Sequence, residues 1–353
     1  MKKIYFVLPG FSRRPIGGYK IILKYANLLA SENYEVRIVY LEDDRYPKYS
    51  WKWLVLKYWT KKGPDWIKLN SSIKTHTIKN IKRARLDTNS EDIAIASSVE
   101  TVLPTEKLFP NAKKFYFIQD LEDWNVDKEY LFETYNKDFT NITISRWLKE
   151  VVDKHTMTSK KTEYIRNPID TTAYRVFKPI EKRKPFKIGM LYHKAPYKGS
   201  KQTLKAIAGL KKRYPQLELI MFGTAVSPKS LPNWITYHKN ATQAETIDIY
   251  NSISIFVSGT IKEGFGLTGL EAMACGAALV STDYLGAKEY AINDVNSLLS
   301  PVNDYGALQK NVELLMKEDT LRIRLAKHGV QRAQEYSWNR AYDRFKKVIF
   351  KSK

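Results

Sequence analysis

Short apolar runs alternate with amphipathic segments along the chain. Lys3–Leu8 and Glu35–Leu41 are apolar runs bounded by turn or polar residues, as expected of strands buried on both faces of a parallel sheet. Between them, Tyr19–Ser31 places Ile22 and Leu29 on one helical stripe. The first 41 residues therefore predict a strand, a glycine-containing loop, a helix and a second strand, which is a βαβ unit.

The same alternation continues to the end of the chain. Further strands are predicted at Ile93–Ser97, Phe115–Gln119, Asn141–Ser145, Tyr164–Pro168, Phe186–Leu191, Leu217–Phe222, Ser254–Ser258 and Ala278–Ser281. Helices are predicted at Arg146–Lys154, Lys201–Tyr214, Gln243–Asn251, from Leu267 to a stop at Gly276, at Tyr305–Met316 and at Thr320–Tyr336. The pattern predicts an α/β protein with two doubly wound, Rossmann-like domains that face a cleft.

The domain boundaries follow from a change in composition. Residues 171–184 (TTAYRVFKPIEKRK) are polar, basic and contain proline, which is typical of a linker. We therefore expect one domain over residues 1–170 and a second over residues 185–336. Residues 337–353 form a final helix that we expect to pack back on the first domain.

Composition excludes several classes of protein. The single cysteine, Cys275, allows neither an internal disulfide nor a cysteine-based zinc site. The apolar run near the N-terminus is too short for a signal peptide, and no run approaches the roughly 20 residues of a membrane span. We expect a cytoplasmic protein that can contact the inner face of the plasma membrane.

Positive charge is concentrated in two blocks. The formal net charge is +22, and residues 45–86 and 171–215 carry 12 and 13 basic residues against one acid each. The first block interleaves its lysines with Trp51, Trp53, Tyr58, Trp59 and Trp66. This pattern fits a solvated helix whose aromatic side chains pack into the domain, peripheral contact with an anionic membrane, or stacking on single-stranded nucleic acid. The first two interpretations carry most of the weight, and no nucleic acid is expected as a partner.

The segment Ser258–Cys275 (SGTIKEGFGLTGLEAMAC) contains the residues with the most informative chemistry. Glu263 lies at a strand-to-helix junction before two glycines, which let backbone N–H groups approach an anion at a helix N-terminus. Glu271 lies about one turn into the helix, so both carboxylates can reach one ligand and accept hydrogen bonds from its hydroxyl groups. The alternative is a structural loop with two solvent-facing glutamates.

Metal chemistry is not expected. The five histidines show neither H-x-x-H nor H-E-x-x-H spacing, and no D-x-D follows a predicted strand. We therefore expect no cofactor and no metal.

The segment EGFGLTGLEAMACG resembles the E-x7-E motif of the retaining glycosyltransferases of family 4, which have the GT-B fold. Glu263 and Glu271 match the two acids of that motif. Other likenesses are the glycine pair Gly17-Gly18, the junction Asn167-Pro168-Ile169-Asp170, the pair Lys198-Gly199, and Gly286 with Glu289. The resemblance covers residues 160–340 well and the N-terminal half loosely.

The resemblance implies a role for each matching residue. Gly17 and Gly18 would approach the donor diphosphate, and Lys198 would neutralise its charge. Glu263 would contact the transferred sugar, and Glu271 the ribose. The residues implied to hold the sugar and diphosphate are Phe265, Gly266 and Leu267, through their backbone groups, and Thr268. The base is expected near a loop after Ile235–Tyr237, around His238.

Two departures from the family pattern concern the phosphate and the acceptor. Met190 stands where relatives carry an arginine that pairs with phosphate, and the replacement cations considered are Lys194, His193 and the Arg13-Arg14 pair. In the N-terminal half, the segment IQDLED stands where many relatives have a histidine. Its sequence resembles that of a rhamnosyltransferase branch of the family. Asp120 in that segment would position or deprotonate the acceptor hydroxyl, although it could equally contact helix N–H groups.

The resemblance implies a hexosyl or deoxyhexosyl glycosyltransferase. It would move sugar from a nucleotide-diphosphate sugar, with retention, to a hydroxyl of a surface polysaccharide or glycolipid. The alternatives are a GT-B sugar-nucleotide epimerase or phosphorylase, and a basic module that binds nucleic acid or membrane. The donor base, the sugar and the acceptor are not specified by the sequence.

Overall fold

The computed structural model describes residues 2–41, 51–79, 84, 86–124, 126–157, 161–227 and 230–351. The chain divides into two compact units. The N-terminal unit comprises Met1–Arg166 together with Tyr342–Lys353, and the C-terminal unit comprises Asn167–Ala341. Each is an α/β domain built on its own parallel sheet.

The N-terminal unit contains a parallel sheet of seven strands in the order β3-β2-β1-β4-β5-β6-β7. Its strands are β1 (Lys3–Leu8), β2 (Glu35–Leu41), β3 (Lys74–Ile78), β4 (Ile93–Ala96), β5 (Lys113–Ile118), β6 (Thr140–Thr143) and β7 (Glu163–Tyr164). Its helices are α1 (Gly17–Ser31), α2 (Trp51–Lys62), α3 (Val99–Leu108), α4 (Lys128–Tyr135) and α5 (Arg146–His155). Strands β1 and β4 are buried along nearly their whole length, as their continuous apolar sequences predicted.

The C-terminal unit contains a parallel sheet of six strands in the order β10-β9-β8-β11-β12-β13. Its strands are β8 (Lys187–Leu191), β9 (Glu218–Gly223), β10 (Ile235–Lys239), β11 (Ile255–Ser258), β12 (Ala278–Thr282) and β13 (Ser297–Ser300). Its helices are α6 (Ser200–Lys211), α7 (Gln243–Ser252), α8 (Leu267–Ala274), α9 (Tyr305–Lys317) and α10 (Asp319–Ala333). Because β8 and β11 are neighbours, the loops after them meet at the carboxyl edge of this sheet.

The last helix, α11 (Trp338–Ile349), supplies residues to the core of the N-terminal unit. Phe345 is fully buried, and its ring stacks 4.3 Å from Tyr25 and 6.4 Å from Phe6. Burial of one such aromatic side chain stabilises a fold by roughly 1.5–3 kcal/mol. The segment from Tyr342 onward is therefore part of the packing of the N-terminal unit.

Within the described residues, no helix combines the length and apolar character that crossing a bilayer requires. The same residues contain no group of three or more His, Cys, Asp or Glu side chains arranged to hold a metal ion.

Candidate active site

The loop between β11 and α8 contains Glu263 and ends at a residue that must be glycine. Gly266 has φ +91°, and a Cβ built there would lie 1.9 Å from the hydroxyl oxygen of Tyr284. The Tyr290 hydroxyl donates a hydrogen bond of 2.7 Å to the Gly266 carbonyl. The start of α8 is thus fixed, and the backbone N–H groups of Leu267 and Thr268 carry the partial positive charge of a helix N-terminus.

Lys198 and Glu263 form an ion pair at the carboxyl edge of this sheet. The Lys198 Nζ atom lies 2.6 Å from Oε1 of Glu263, and the two side chains are 16% and 26% exposed. Lys198 ends a short turn after β8, and Gly199 follows it with φ +61°. A Cβ at Gly199 would lie 1.8 Å from the carbonyl oxygen of Gly259, so the loops after β8 and β11 touch through their backbones.

The two paired side chains face a single cavity. Lys198, Glu263 and Thr268 line it together with Ser258 and Thr260. The family resemblance implied a part in donor binding for Lys198, Glu263 and Thr268. A cation, an anion, hydroxyl groups and a helix N-terminus therefore lie around one small space, which suits a phosphorylated polyhydroxyl ligand.

Phe265 contributes its side chain to the core rather than to the cavity. It is 2% exposed, and its ring centroid lies 5.6 Å from that of Tyr290 and 6.0 Å from that of Tyr336. Phe265 can therefore offer a ligand only backbone groups, which is the contribution expected of it from the sequence.

Glu271 is the fifth residue of α8 and is 8% exposed. The Tyr250 hydroxyl donates a hydrogen bond of 3.4 Å to its Oε2 atom. Tyr174 also lies near this carboxylate. Burial raises the pKa of Tyr174, and the charge of Glu271 raises it further. The interpretation of Glu271 as a solvent-facing residue is therefore wrong, and its carboxylate lies among tyrosine hydroxyls.

The cations considered as replacements at Met190 have different surroundings. Met190 is 1% exposed and packs in the hydrophobic core of the C-terminal unit. His193 Nδ1 accepts a hydrogen bond from the Ala195 N–H group at 3.0 Å, and burial, together with the charge of Lys198, lowers the His193 pKa. Both effects favour the neutral imidazole of His193, whereas Lys194 is exposed.

His238 was expected in a loop, and this placement is wrong. It is the fourth residue of β10, half-buried, and opposite Phe222 in the register with β9. The strand extends two residues further than its apolar sequence indicates, because the parallel ladder continues to Lys239. The turn follows at Asn240, which has φ +56°.

Gly17 and Gly18 are the first two residues of α1, which begins two residues earlier than the predicted Tyr19. Gly17 is exposed, and a Cβ there would meet nothing within 4 Å. A Cβ at Gly18 would lie 3.1 Å from the side-chain amide of Gln119, which follows β5. The glycine pair and the segment after β5 are thus neighbours in the N-terminal unit.

Asp120 and Glu122 follow β5, and they have different surroundings. The Oδ1 atom of Asp120 accepts a hydrogen bond of 2.9 Å from the Leu121 N–H group. Glu122 accepts hydrogen bonds from the Val99 N–H group at 2.5 Å and from the Tyr116 hydroxyl at 3.2 Å. Burial raises the pKa of Glu122 to about 7. Glu122 is thus a buried acid in this segment that sequence reasoning did not single out.

Comparisons with known structures agree with this architecture. TarM of Staphylococcus aureus superposes with a TM-score of 0.79 at 11% identity, covering 99% of both chains. HepE from Anabaena, solved with UDP and glucose, gives a TM-score of 0.75 at 15% identity over 99% of both chains. Sucrose-phosphate synthase from Thermosynechococcus elongatus gives 0.75 at 14% identity, covering 99% of this chain and 98% of that one. Two Rossmann-like parallel sheets of this kind define the GT-B fold, and this chain has it.

A family model matches most of the C-terminal unit. Residues 175–332 are similar to the glycosyl transferases group 1.

Individual relatives align over shorter segments. An N,N'-diacetylbacillosaminyl-diphospho-undecaprenol alpha-1,3-N-acetylgalactosaminyltransferase of Campylobacter jejuni is 32% identical over 111 residues, 31% of this chain and 30% of that protein. The capsular polysaccharide biosynthesis glycosyltransferase CapM of Staphylococcus aureus is 22% identical over 157 residues, 42% of this chain and 41% of CapM. The chain therefore spans less than half the length of these relatives.

Proposed function

We propose that this protein is a retaining glycosyltransferase that moves a sugar from a nucleotide-diphosphate sugar to a hydroxyl of a surface polysaccharide or glycolipid. The observation that carries the proposal is the Lys198–Glu263 pair, with 2.6 Å between Nζ and Oε1, in a cavity that Thr268 at the start of α8 also lines. Lys198 binds phosphate, and Glu263 accepts hydrogen bonds from the hydroxyl groups of the sugar.

In this proposal the protein's contribution to catalysis is electrostatic. As the glycosidic bond to phosphate breaks, negative charge develops on the diphosphate. Lys198 and the N–H groups at the start of α8 stabilise that charge, and the fixed backbone of Gly266 keeps these groups oriented before the reaction. Glu271 holds the ribose.

The acceptor is proposed from chemistry and from relatives. CapM is a glycosyltransferase of capsular polysaccharide biosynthesis, and the Campylobacter relative is named for a diphospho-undecaprenol glycolipid. Asp120 is proposed to position the acceptor hydroxyl. The rhamnosyltransferase-like branch finds no support among the relatives described above and stays a prediction.

The donor is identified first by thermal unfolding with UDP, GDP and dTDP sugars. A ligand at 100 times its Kd stabilises the folded state by about 2.7 kcal/mol, so the cognate donor raises the unfolding midpoint. Incubation with donor alone, analysed by NMR, tests the epimerase alternative. Formation of an epimerised nucleotide sugar would show that the protein is an epimerase and would overturn the proposal. With an acceptor glycan, the anomeric configuration of the product tests retention.

Two variants with matched controls test the site. Lys198→Met and Glu263→Gln are each expected to lower kcat by about 10²–10³ while the protein stays folded, because each removes a charge that acts in the transition state. Lys205→Met on α6 and Asp248→Asn on α7 remove exposed charges of the same sign from the same unit. Turnover at the wild-type rate in either site variant would remove that residue from the proposed mechanism.

A further inference from the structure

Helix α2 exposes a stripe of large apolar side chains. Trp51 is 79% exposed, Leu54 is 48% exposed and Tyr58 is 64% exposed. Their spacing of three and four residues places them on one face of the helix. We call these three residues the α2 stripe. Large apolar side chains that are contiguous on a surface mark an interaction site more often than single exposed ones do.

Another face of α2 is turned towards the N-terminal unit. Thr60 is 2% exposed, and Trp59 is partly buried with the Arg13 guanidinium 4.2 Å from its ring centroid. The helix is thus anchored on the domain, and the orientation of the α2 stripe is fixed by that packing. Trp51 and Tyr58 are thus exposed while Trp59 is partly buried, a division that the sequence alone left undecided.

Lysines surround the α2 stripe. Lys57, Lys61 and Lys62 are all exposed, and the helix contains no acidic residue. Asp65, the one acid in residues 45–86, pairs with Lys62 at 3.5 Å. Residues 45–50, 80–83 and 85 of the basic block lie outside the described residues, as do the side chains of residues 52, 53 and 56.

We propose that the α2 stripe and its lysines dock on an anionic membrane surface. Tryptophan and tyrosine favour the depth of lipid headgroups, Leu54 favours the apolar boundary beneath them, and the lysines pair with anionic headgroups. Nucleic acid fits less well because Leu54, in the centre of the stripe, has no π-face on which a base can stack. The inference concerns binding in the absence of any sugar donor, so it does not rest on the proposed function.

Co-sedimentation with lipid vesicles tests the proposal. The full chain is expected to sediment with vesicles of phosphatidylcholine and phosphatidylglycerol at low salt, and much less with phosphatidylcholine alone. Each lysine near an anionic surface contributes about fivefold to partitioning, so changing Lys57, Lys61 and Lys62 together to glutamine should weaken binding by about a hundredfold. Changing Lys107 and Lys128, which are exposed in the same unit, to glutamine should leave vesicle binding within a few fold of wild type.

The apolar stripe has its own control. Trp51→Ala combined with Leu54→Ser is expected to weaken vesicle binding at least tenfold, whereas Trp124→Ala, which removes a tryptophan that is 55% exposed elsewhere, should not. Brominated lipid should quench tryptophan fluorescence less in Trp51→Phe than in the wild type. Circular dichroism checks that each variant is folded.

Three results would overturn the proposal: equal sedimentation with neutral and anionic vesicles, loss of binding in the Trp124 control alone, or binding to a single-stranded oligonucleotide that competes with vesicles and disappears in the same lysine variant. The last result would assign this surface to nucleic acid instead.

Discussion

The hydroxyl of Tyr290 donates a hydrogen bond of 2.7 Å to the carbonyl oxygen of Gly266. Tyr290 is 1% exposed and follows the next strand of the sheet, 24 residues further along the chain. Its hydroxyl also lies 3.3 Å from that of Tyr284. The residue that opens α8 is therefore held by a side chain that does not itself line the cavity.

Tyr290→Phe is expected to destabilise the protein by about 1–3 kcal/mol, because it keeps the packed ring and removes the hydroxyl that bonds Gly266 and Tyr284. The start of α8 should loosen, so the thermal shift produced by the donor should also shrink. Tyr214→Phe is the control, since the Tyr214 hydroxyl bonds Glu313 at 2.6 Å in the same unit, away from α8. An unchanged donor shift in Tyr290→Phe would mean that this hydrogen bond does not organise the site.

Gly266→Ala is expected to be more damaging. A side chain at φ +91° is strained, and its Cβ would meet the Tyr284 hydroxyl. We expect a lowered unfolding midpoint and loss of donor binding, measured by thermal shift with and without nucleotide sugar. Gly306→Ala is a matched control, because a Cβ there would meet only an Asp304 oxygen at 3.4 Å. Normal donor binding by Gly266→Ala would show that the loop tolerates another backbone conformation.

Arg183 is expected to be a major determinant of stability in the C-terminal unit. It is 7% exposed, and burial lowers its pKa to about 10, so it is charged at pH 7. Its guanidinium donates to five groups: the carbonyls of Lys178, Tyr250, Ile253 and Cys275, and the Asn251 side chain.

Arg183→Met leaves these buried acceptors without that donor, and we expect a loss on the order of 3–5 kcal/mol by urea unfolding. Arg213→Met removes an arginine whose side chain is 55% exposed and paired with Glu313, and it should cost less than about 1 kcal/mol. Equal losses in the two variants would contradict the role assigned to Arg183.

Glu122 predicts a dependence of stability on pH. Burial raises its pKa from 4.5 to about 7, so the folded state binds the proton more tightly than the unfolded state. Stability from this group is complete below about pH 4.5 and is lost as pH rises to about 7, with an upper limit of about 3 kcal/mol. Glu122→Gln lacks this loss, so it should gain stability relative to the wild type between about pH 5 and about pH 8.

Urea unfolding at about pH 5 and about pH 8 measures the difference in unfolding free energy between Glu122→Gln and the wild type. Glu129→Gln, an exposed acid on α4, should show no such gain. A difference between Glu122→Gln and wild type that is the same at both pH values would show that the carboxyl group titrates alike in the folded and unfolded states.

The apolar pattern predicted the strands whose residues are buried on both faces, including β1, β4, β8 and β11. It found the edge strand β7 but missed the edge strands β3 and β13, because Lys74–Ile78 begins with four polar residues and Ser297–Ser300 has only two apolar ones. It also missed the helices α3, which contains Pro104, and α4. Local pattern specifies burial well and sheet edges poorly, since edge strands are stabilised by pairing rather than by burial.

The spacing of Glu263 and Glu271 in the sequence identified the loop that carries Glu263, but it did not show which side chains Glu263 and Glu271 contact. The Lys198–Glu263 pair joins residues 65 positions apart, and only the parallel pairing of β8 with β11 brings them together. The perturbed Glu122 was within reach of sequence reasoning, because it lies in the same segment as Asp120. Its burial depends on Tyr116 and on the start of α3, which a linear pattern does not reveal.

Gly286 links the loop that carries Glu263 to the turn after β12. A Cβ at this position would lie 2.5 Å from the Glu263 carbonyl oxygen and 2.8 Å from the Phe265 nitrogen. The two segments therefore pack main chain against main chain, with no side chain between them to absorb a displacement. A substitution at the neighbouring exposed Leu285 would therefore shift the backbone of the loop that carries Glu263 while leaving Lys198 and Glu263 themselves in place.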